Sequence, residues 1–336
     1  MKASKLGLVA AAVLATLAVP AMAADVSIYG RAHLSVDHLD NGVDSGVNVS
    51  SNSSRLGFKA STKLEDDMEV FVQLEQNIRF DEGSGSFATR DSFVGLKGNF
   101  GMARIGFFDT PLKTIRSRTD MFGDRIGDAR NITSGYGQSF DNRYRNGVHY
   151  RTPNMNGFTV DFQYTPHNNT GATVQNDRES YSTSLTYTSK GIYVAAAYES
   201  YEGTDGVDPN ALRLGAYYDI NSDLRVSALY QKASDVANGD RSVYGVGASY
   251  KMGDYTLRGQ YYVAGDADAD NSGANMLVLG ADRKLGKDLT LYLAYGITSN
   301  DDNANYTIAS GGRDTRLTAI AGENSAGLSF GVVYSF

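Results

Sequence analysis

Three carboxylates, Asp120, Asp124 and Asp128, recur every fourth residue in a stretch that also carries Arg116, Arg118, Arg125 and Arg130. Six further basic residues, Arg31, Arg55, Lys59, Arg90, Arg104 and Arg145, lie within the first half of the chain. Opposite fixed charges facing one another across water make a transverse field. Such a field aligns dipolar solutes, disfavours apolar ones and sets ionic selectivity. Taken singly, each basic residue is equally well read as a solvated charge, and it is the clustering that calls for an account. Other chemistries have less behind them. Asp266-Ala-Asp-Ala-Asp270-Asn-Ser-Gly273 alternates oxygen ligands as a calcium loop does, but lacks the late bidentate glutamate. The histidines, His33, His38, His149 and His167, show no metal-ligand spacing, so no metal is expected. The absence of cysteine excludes disulfides and thiolate metal sites. No nucleophile-and-base motif emerges, so neither catalysis nor a cofactor is expected. A net charge of −7 argues against nucleic acid as a partner.

The elements that must position these charges are strands. In Gly327-Leu-Ser-Phe-Gly-Val-Val-Tyr-Ser-Phe336, Leu328, Phe330, Val332, Tyr334 and Phe336 share one face. Small or polar residues take the other, with Val333 as the exception. An apolar outer face and a small or polar inner face is what one stave of a transmembrane barrel needs. The same period of two marks about sixteen segments. They are Val26–Asp37, Ser54–Leu64, Glu69–Phe80, Thr89–Gly98, Met102–Asp109, Arg143–Thr152, Phe158–Thr165 and Ser180–Thr188. Ile192–Glu202, Ala211–Asp219, Leu224–Ser234, Ser242–Lys251, Tyr255–Gly265, Asn275–Leu285, Leu289–Ser299 and Gly327–Phe336 complete the series. Every second connection is tight, as at Asn99-Phe100-Gly101, Ser189-Lys190-Gly191 and Gly286-Lys287-Asp288. The alternate ones are long and polar, including Leu39–Ser53, Pro111–Asn142, Pro166–Glu179, Asp266–Ala274 and Asn300–Ala326. Short turns on one rim and long loops on the other indicate an all-β, antiparallel outer-membrane barrel. Abundant Tyr (22) and Gly (37) with scarce Pro (5) suit aromatic girdles, tight turns and an unbroken ladder.

At the N-terminus, Lys2 and Lys5 precede an apolar run from Leu6 to Val19 and the small-residue site at Ala21-Met22-Ala23. That pattern predicts a secretory signal peptide over 1–23, leaving 24–336 as the barrel. The run is too short to cross a bilayer as a helix, and no longer apolar run follows it.

Alternation also assigns faces. In Leu289–Ile297, Leu289, Leu291, Leu293, Tyr295 and Ile297 are expected to face lipid, and Thr290, Tyr292, Ala294 and Gly296 to face inward. Phe158, Val160, Phe162 and Tyr164 likewise face out, with Thr159, Asp161 and Gln163 inward. The inner face is expected to be polar throughout, and sixteen strands enclose an aqueous lumen. Arg31, Arg55, Lys59, Arg104 and Arg145 fall on inward parity, whereas alternation groups Arg90 with outward Val94 and Leu96. Pro111–Asn142 is too long for an ordinary hairpin connection. It either stands on the surface or folds into the barrel and narrows it.

These segments carry a family resemblance. Val26-Ser-Ile-Tyr-Gly-Arg31, Ser54-Arg-Leu-Gly-Phe-Lys59, Arg90-Asp-Ser-Phe-Val-Gly-Leu-Lys-Gly-Asn-Phe-Gly101 and Arg145-Asn-Gly-Val-His-Tyr150, with the terminal Phe336, resemble in order the general diffusion porins of the Gram-negative outer membrane. The resemblance implies a homotrimeric, sixteen-stranded channel for passive diffusion of small hydrophilic solutes and ions; the alternative is a substrate-specific outer-membrane channel. It implies a setting of outer-membrane lipid and lipopolysaccharide, reached through the periplasm, and recognition of Phe336 by the barrel-assembly machinery. It further implies that the third long loop folds inward. Asp120 and Asp124 would then lie on the acidic side of a constriction, and Arg31, Arg55 and Arg90 on the basic side, with a local bulge turning Arg90 inward. The chain departs from the family at Gly106-Phe107-Phe108, where Gly-Arg is common, and several arginines dilute the loop's negative charge.

Overall fold

Strict alternation of apolar and small or polar residues leaves each strand one lipid-compatible face, and no strand can satisfy its backbone in hydrocarbon unless the sheet closes. The computed structural model describes residues 24–137, 140–168, 178–203 and 206–336. The expected signal peptide lies outside them. Among the described residues, eighteen strand segments form one antiparallel sheet. They are β1 (Asp25–Asp40), β2 (Ser45–Ser51), β3 (Arg55–Lys63), β4 (Glu69–Arg79), β5 (Ser84–Ser86) and β6 (Ser92–Gly98). Next come β7 (Gly101–Asp109), β8 (Arg143–Arg151), β9 (Phe158–Thr165), β10 (Ser180–Ser189), β11 (Ile192–Tyr201) and β12 (Asn210–Asp219). The last are β13 (Leu224–Ser234), β14 (Arg241–Met252), β15 (Tyr255–Ala264), β16 (Ala274–Leu285), β17 (Leu289–Asn300) and β18 (Ser325–Ser335). Because β2 and β3 both pair with β1, and β5 and β6 both with β4, the segments make sixteen staves. The barrel closes where β1 pairs with β18, from Arg31 opposite Ser335 to Asp40 opposite Ala326.

Two stretches read as loop or as continuous strand turn out otherwise. Leu39–Ser53 is mostly ladder: β1 runs on to Asp40 and β2 returns along it, with Val47 and Val49 supplying the alternation that the surrounding Asn and Ser obscure. The fourth stave is broken at residues 87–91, where Ala88 adopts φ of 54°.

Sidedness follows the pattern. Leu293 and Tyr295 are 51% and 52% exposed, while Tyr292 and Ala294 between them are buried. Leu185, Val194, Val246, Leu279 and Phe330 continue the exposed apolar band. The expectation of a uniformly polar interior is overturned. Ala195, Ala197, Ala211 and Ala233, and farther round Met276, Val278 and Ala294, are inward and apolar because loop segments pack on them.

Candidate constriction site

Between β7 and β8 the chain forms α1 (Pro111–Thr119) and the single turn α2 (Arg130–Thr133). Thr110 caps α1, its hydroxyl accepting from the Lys113 amide, and Pro111 occupies the first turn, where no amide is missed. Leu112 and Ile115 then pack on Tyr193 and the small inner residues of β11 to β13. Met121, Phe122, Ile126 and Ile132 join a second cluster with Val243, Met276, Val278 and Tyr292. The loop therefore packs against the inner face of the barrel because its apolar residues share one side and that face leaves small-residue room.

Its charges divide into two sets. Asp120 and Asp128 face the loop's own interior. Asp120 accepts from the backbone amides of Phe122 and Ala129 and pairs with Arg116 at 3.1 Å. Asp128 accepts from the amides of Asp124 and Arg130 and pairs with the Arg130 guanidinium at 2.6 Å. Burial, reinforced by Asp128, pushes the Asp120 carboxyl up to about 6. Asp141 fastens the loop's far end to the wall through Arg213 of β12 at 2.9 Å and to α1 through Arg116 at 3.0 Å. Only Asp124 of the three reaches across, to Arg31 of β1 at 3.0 Å, while Arg130 holds its other oxygen at 2.7 Å. Burial alone would raise the Asp124 pKa. Arg130, Arg31, Arg55 and Arg90 outweigh that and hold it well below the usual carboxylate range.

The facing wall is built around an acid that the motif reading passes over. Glu75 of β4 accepts from Tyr29 at 2.8 Å and Arg90 at 2.6 Å, and lies 3.8 Å from Arg55. Its parity with Phe71, Gln73 and Asn77 on β4 is the sequence signal that finds it. Arg90 reaches Glu75 despite its outward parity because residues 87–91 leave the ladder. Arg143, another addition, bridges Asp91 at 2.5 Å and Asp109 at 3.0 Å. Burial, with Arg143 nearby, lowers the Lys113 amine to about 8 even though Asp109 lies 2.9 Å away.

Of the remaining basic candidates, Arg104 of β7 lies beside this wall, within electrostatic reach of Asp91 and Asp109, and the other two sit elsewhere. Arg104 is inward, sandwiched between the Phe93 and Phe108 rings at 4.8 and 4.0 Å and bonded to His149. Lys59 lies over the Tyr29 ring at 4.6 Å, paired in register with Ser27 toward the short-turn rim, away from the loop acids. Arg145 is a correction: it is exposed beside Phe107 in the outer set that includes Ile105 and Val148. Asn146, with φ of 55°, and the register shift between Gly106 and Phe108 insert an extra step between inward Tyr144 and inward Gly147.

A second long connection, residues 301–324, also leaves the rim. Tyr306, Ile308 and Ala309 join the core with Ile126 and Ile132. Asn131 of α2 donates to Ile308 O at 2.6 Å and accepts from the amides of Ser310 and Gly311. Gly312, at φ of 72°, lies so close to Arg130 and Asp124 that a Cβ there would overlap both. Arg313 makes a fully buried ion pair with Asp37 of β1. Polar composition alone predicts an outer loop here, and these contacts overturn that expectation.

Comparison with known proteins agrees with this architecture. A family model described as Gram-negative porin matches residues 10–303. The major outer membrane protein P.IB of Neisseria gonorrhoeae is 28% identical over 328 residues, covering 84% of this chain and 90% of that relative. Among solved structures, the anion-selective porin from Comamonas acidovorans superposes with a TM-score of 0.79 at 24% identity, covering 93% of this chain and all of that one. OmpT of Vibrio cholerae in its trimer form gives 0.72 at 20% identity, covering 94% of this chain and all of that one. A closed sixteen-stave barrel, an apolar outer band and a family match over most of its length make this chain a member of the Gram-negative porins, an outer-membrane diffusion channel.

Proposed function

We propose that loop residues 110–142 and the arginine wall of β1, β3, residues 87–91 and β8 form the constriction of this channel, and that it prefers anions weakly. The observation that carries this reading is the single contact of Asp124 with Arg31, since Asp120 and Asp128 are spent inside the loop. Arg55, Arg90 and Arg143 remain on the wall with Glu75, Asp91 and Asp109 as their partners, and Arg104 adds a guanidinium with no carboxylate within 4 Å among the described residues. Positive charge therefore exceeds negative where the path narrows, which favours anions. The Comamonas relative is described as anion-selective, in line with this sign.

The proposed assembly is a homotrimer, supported by the trimer form of the Vibrio structure. The expected cargo is small hydrophilic solutes and ions, and no reaction is catalysed. Single-channel recording in a potassium chloride gradient tests the constriction: a reversal potential of cation-selective sign would overturn it. Conductance that saturates with one solute would point to the substrate-specific alternative. Native mass measurement in detergent tests the trimer, with a monomer as the losing outcome.

A further inference from the structure

On the side of the loop away from the Arg31 wall lies a basin of about 820 Å³, near the short-turn rim. Its roof is Ser117, Arg118, Asp120 and Met121 of the loop, and its wall is the inner face of β12 to β15. Arg225 and Arg258 are both register partners of Ser249, one on each side, so their backbones stand about 10 Å apart on the two staves that flank β14. Lys251 is one same-face step, about 7 Å, nearer the rim. Arg118 hangs from the roof, in the last turn of α1.

These cations are unevenly neutralised. Arg225 is paired with Asp219 at 2.6 Å and stacked on Tyr217 at 3.9 Å. Arg258 shares Asp282 with Arg125, two guanidiniums on one carboxylate. Arg118 and Lys251 are exposed and form no ion pair among the described residues. At the rim the lining also includes Lys190 and, in the next turn, the carboxylate of Asp223. The roofing carboxylate, Asp120, is turned away to Arg116.

We propose that this basin is a second solute site, binding a multiply charged oxyanion between Arg118 and Lys251 with Arg225 and Arg258 behind it. A low-dielectric wall with unpaired cations focuses the field and concentrates counter-charge. Arginine's planar fork offers paired donors that match a carboxylate or phosphate edge, and the lysine supplies a point charge. The site stands apart from the constriction, on the opposite flank of the loop and toward the other opening. An anion that has passed Arg31 therefore meets a second cationic station before leaving.

Citrate, a multivalent oxyanion, is the probe. Added to one chamber and then the other of a single-channel bilayer, it is expected to reduce potassium chloride current at unequal half-blocking concentrations from the two sides. The Arg118→Gln/Lys251→Gln double variant should raise the lower of these by about tenfold, the scale of losing two charge contacts. Arg31→Ala/Arg55→Ala should leave the lower value in place. Equal block from both sides, or tight block surviving in the double variant, overturns the basin. If the double variant does not refold in detergent, Lys251→Gln alone serves, with a smaller shift required and an unchanged value refuting the site. The chloride reversal potential reports on the constriction separately, so the two assignments stand or fall independently.

Discussion

Asp124 and Asp120 lie four residues apart on one loop, yet only Asp124 faces the wall. The family resemblance implies an acidic side for both; parity applies to strands, and a loop with short helices offers no period from which to read orientation. The two substitutions should therefore separate. Asp124→Asn should move the reversal potential toward anions by a few-fold in permeability ratio, on the scale of about 0.5–1 kcal/mol for a partly screened pair. Asp120→Asn should leave the ratio almost unchanged and instead loosen the loop, because it weakens acceptance from two backbone amides and Arg116. Larger movement with Asp120 than with Asp124 would reverse the assignment. Lys113 gives a pH-dependent counterpart. Its amine loses charge above about 8, because burial and then Arg143 disfavour the cation more than Asp109 favours it. Raising pH from 7 to 9 should therefore weaken anion preference, and Lys113→Met should abolish that slope. Arg31 and Arg55, in contrast, were legible from alternation alone: they sit directly opposite in register, both inward.

At the scale of elements, the staves were readable because lipid on one side and water on the other impose a period of two. Where strand parity alone misassigns a face, at Arg145 and at Arg90, the cause is a local break in that period. Asn146 turned Arg145 outward, and residues 87–91 turned Arg90 inward. Connection 301–324 was misplaced for a different reason. Its Asn, Asp and Gly content fits a surface loop, while its inward position depends on a few tertiary contacts: Tyr306 and Ile308 in the core, Asn131 beneath the chain, and Arg313 on Asp37. Breaking one partner of a fully buried ion pair strands the other charge, typically at about 3–5 kcal/mol. Arg313→Ala should thus release the connection, open it to protease and change conductance through the Gly312 contact with Arg130 and Asp124. Replacing both partners, as in Arg313→Met with Asp37→Leu, should recover most of the protection. A double variant as protease-sensitive as the single one would deny the pair its anchoring role.

At the scale of the whole molecule, everything depends on one seam, because an open edge of unpaired backbone cannot persist in hydrocarbon. The seam joins β1 to β18 and is finished by two hydrogen bonds, from the Gly30 amide to Phe336 O at 2.9 Å and from the Phe336 amide to Gly30 O at 3.1 Å. The Phe336 ring lies over Gly30 on the lipid side, where a Cβ at position 30 would collide with it. Two features met separately in the sequence, the glycine of the opening strand and the terminal aromatic, are thus one contact. A double-mutant cycle follows. Gly30→Ala should destabilise the barrel by forcing the ring aside, and Phe336→Ala should cost little by itself because the ring is 58% exposed. With Phe336→Ala in place, Gly30→Ala should become nearly harmless, a coupling of about 1 kcal/mol or more between residues in contact. Guanidinium unfolding from detergent micelles, followed by loss of strand circular dichroism, measures each arm. Additive effects would mean that the ring and the glycine act independently, and that the two backbone hydrogen bonds alone hold the seam.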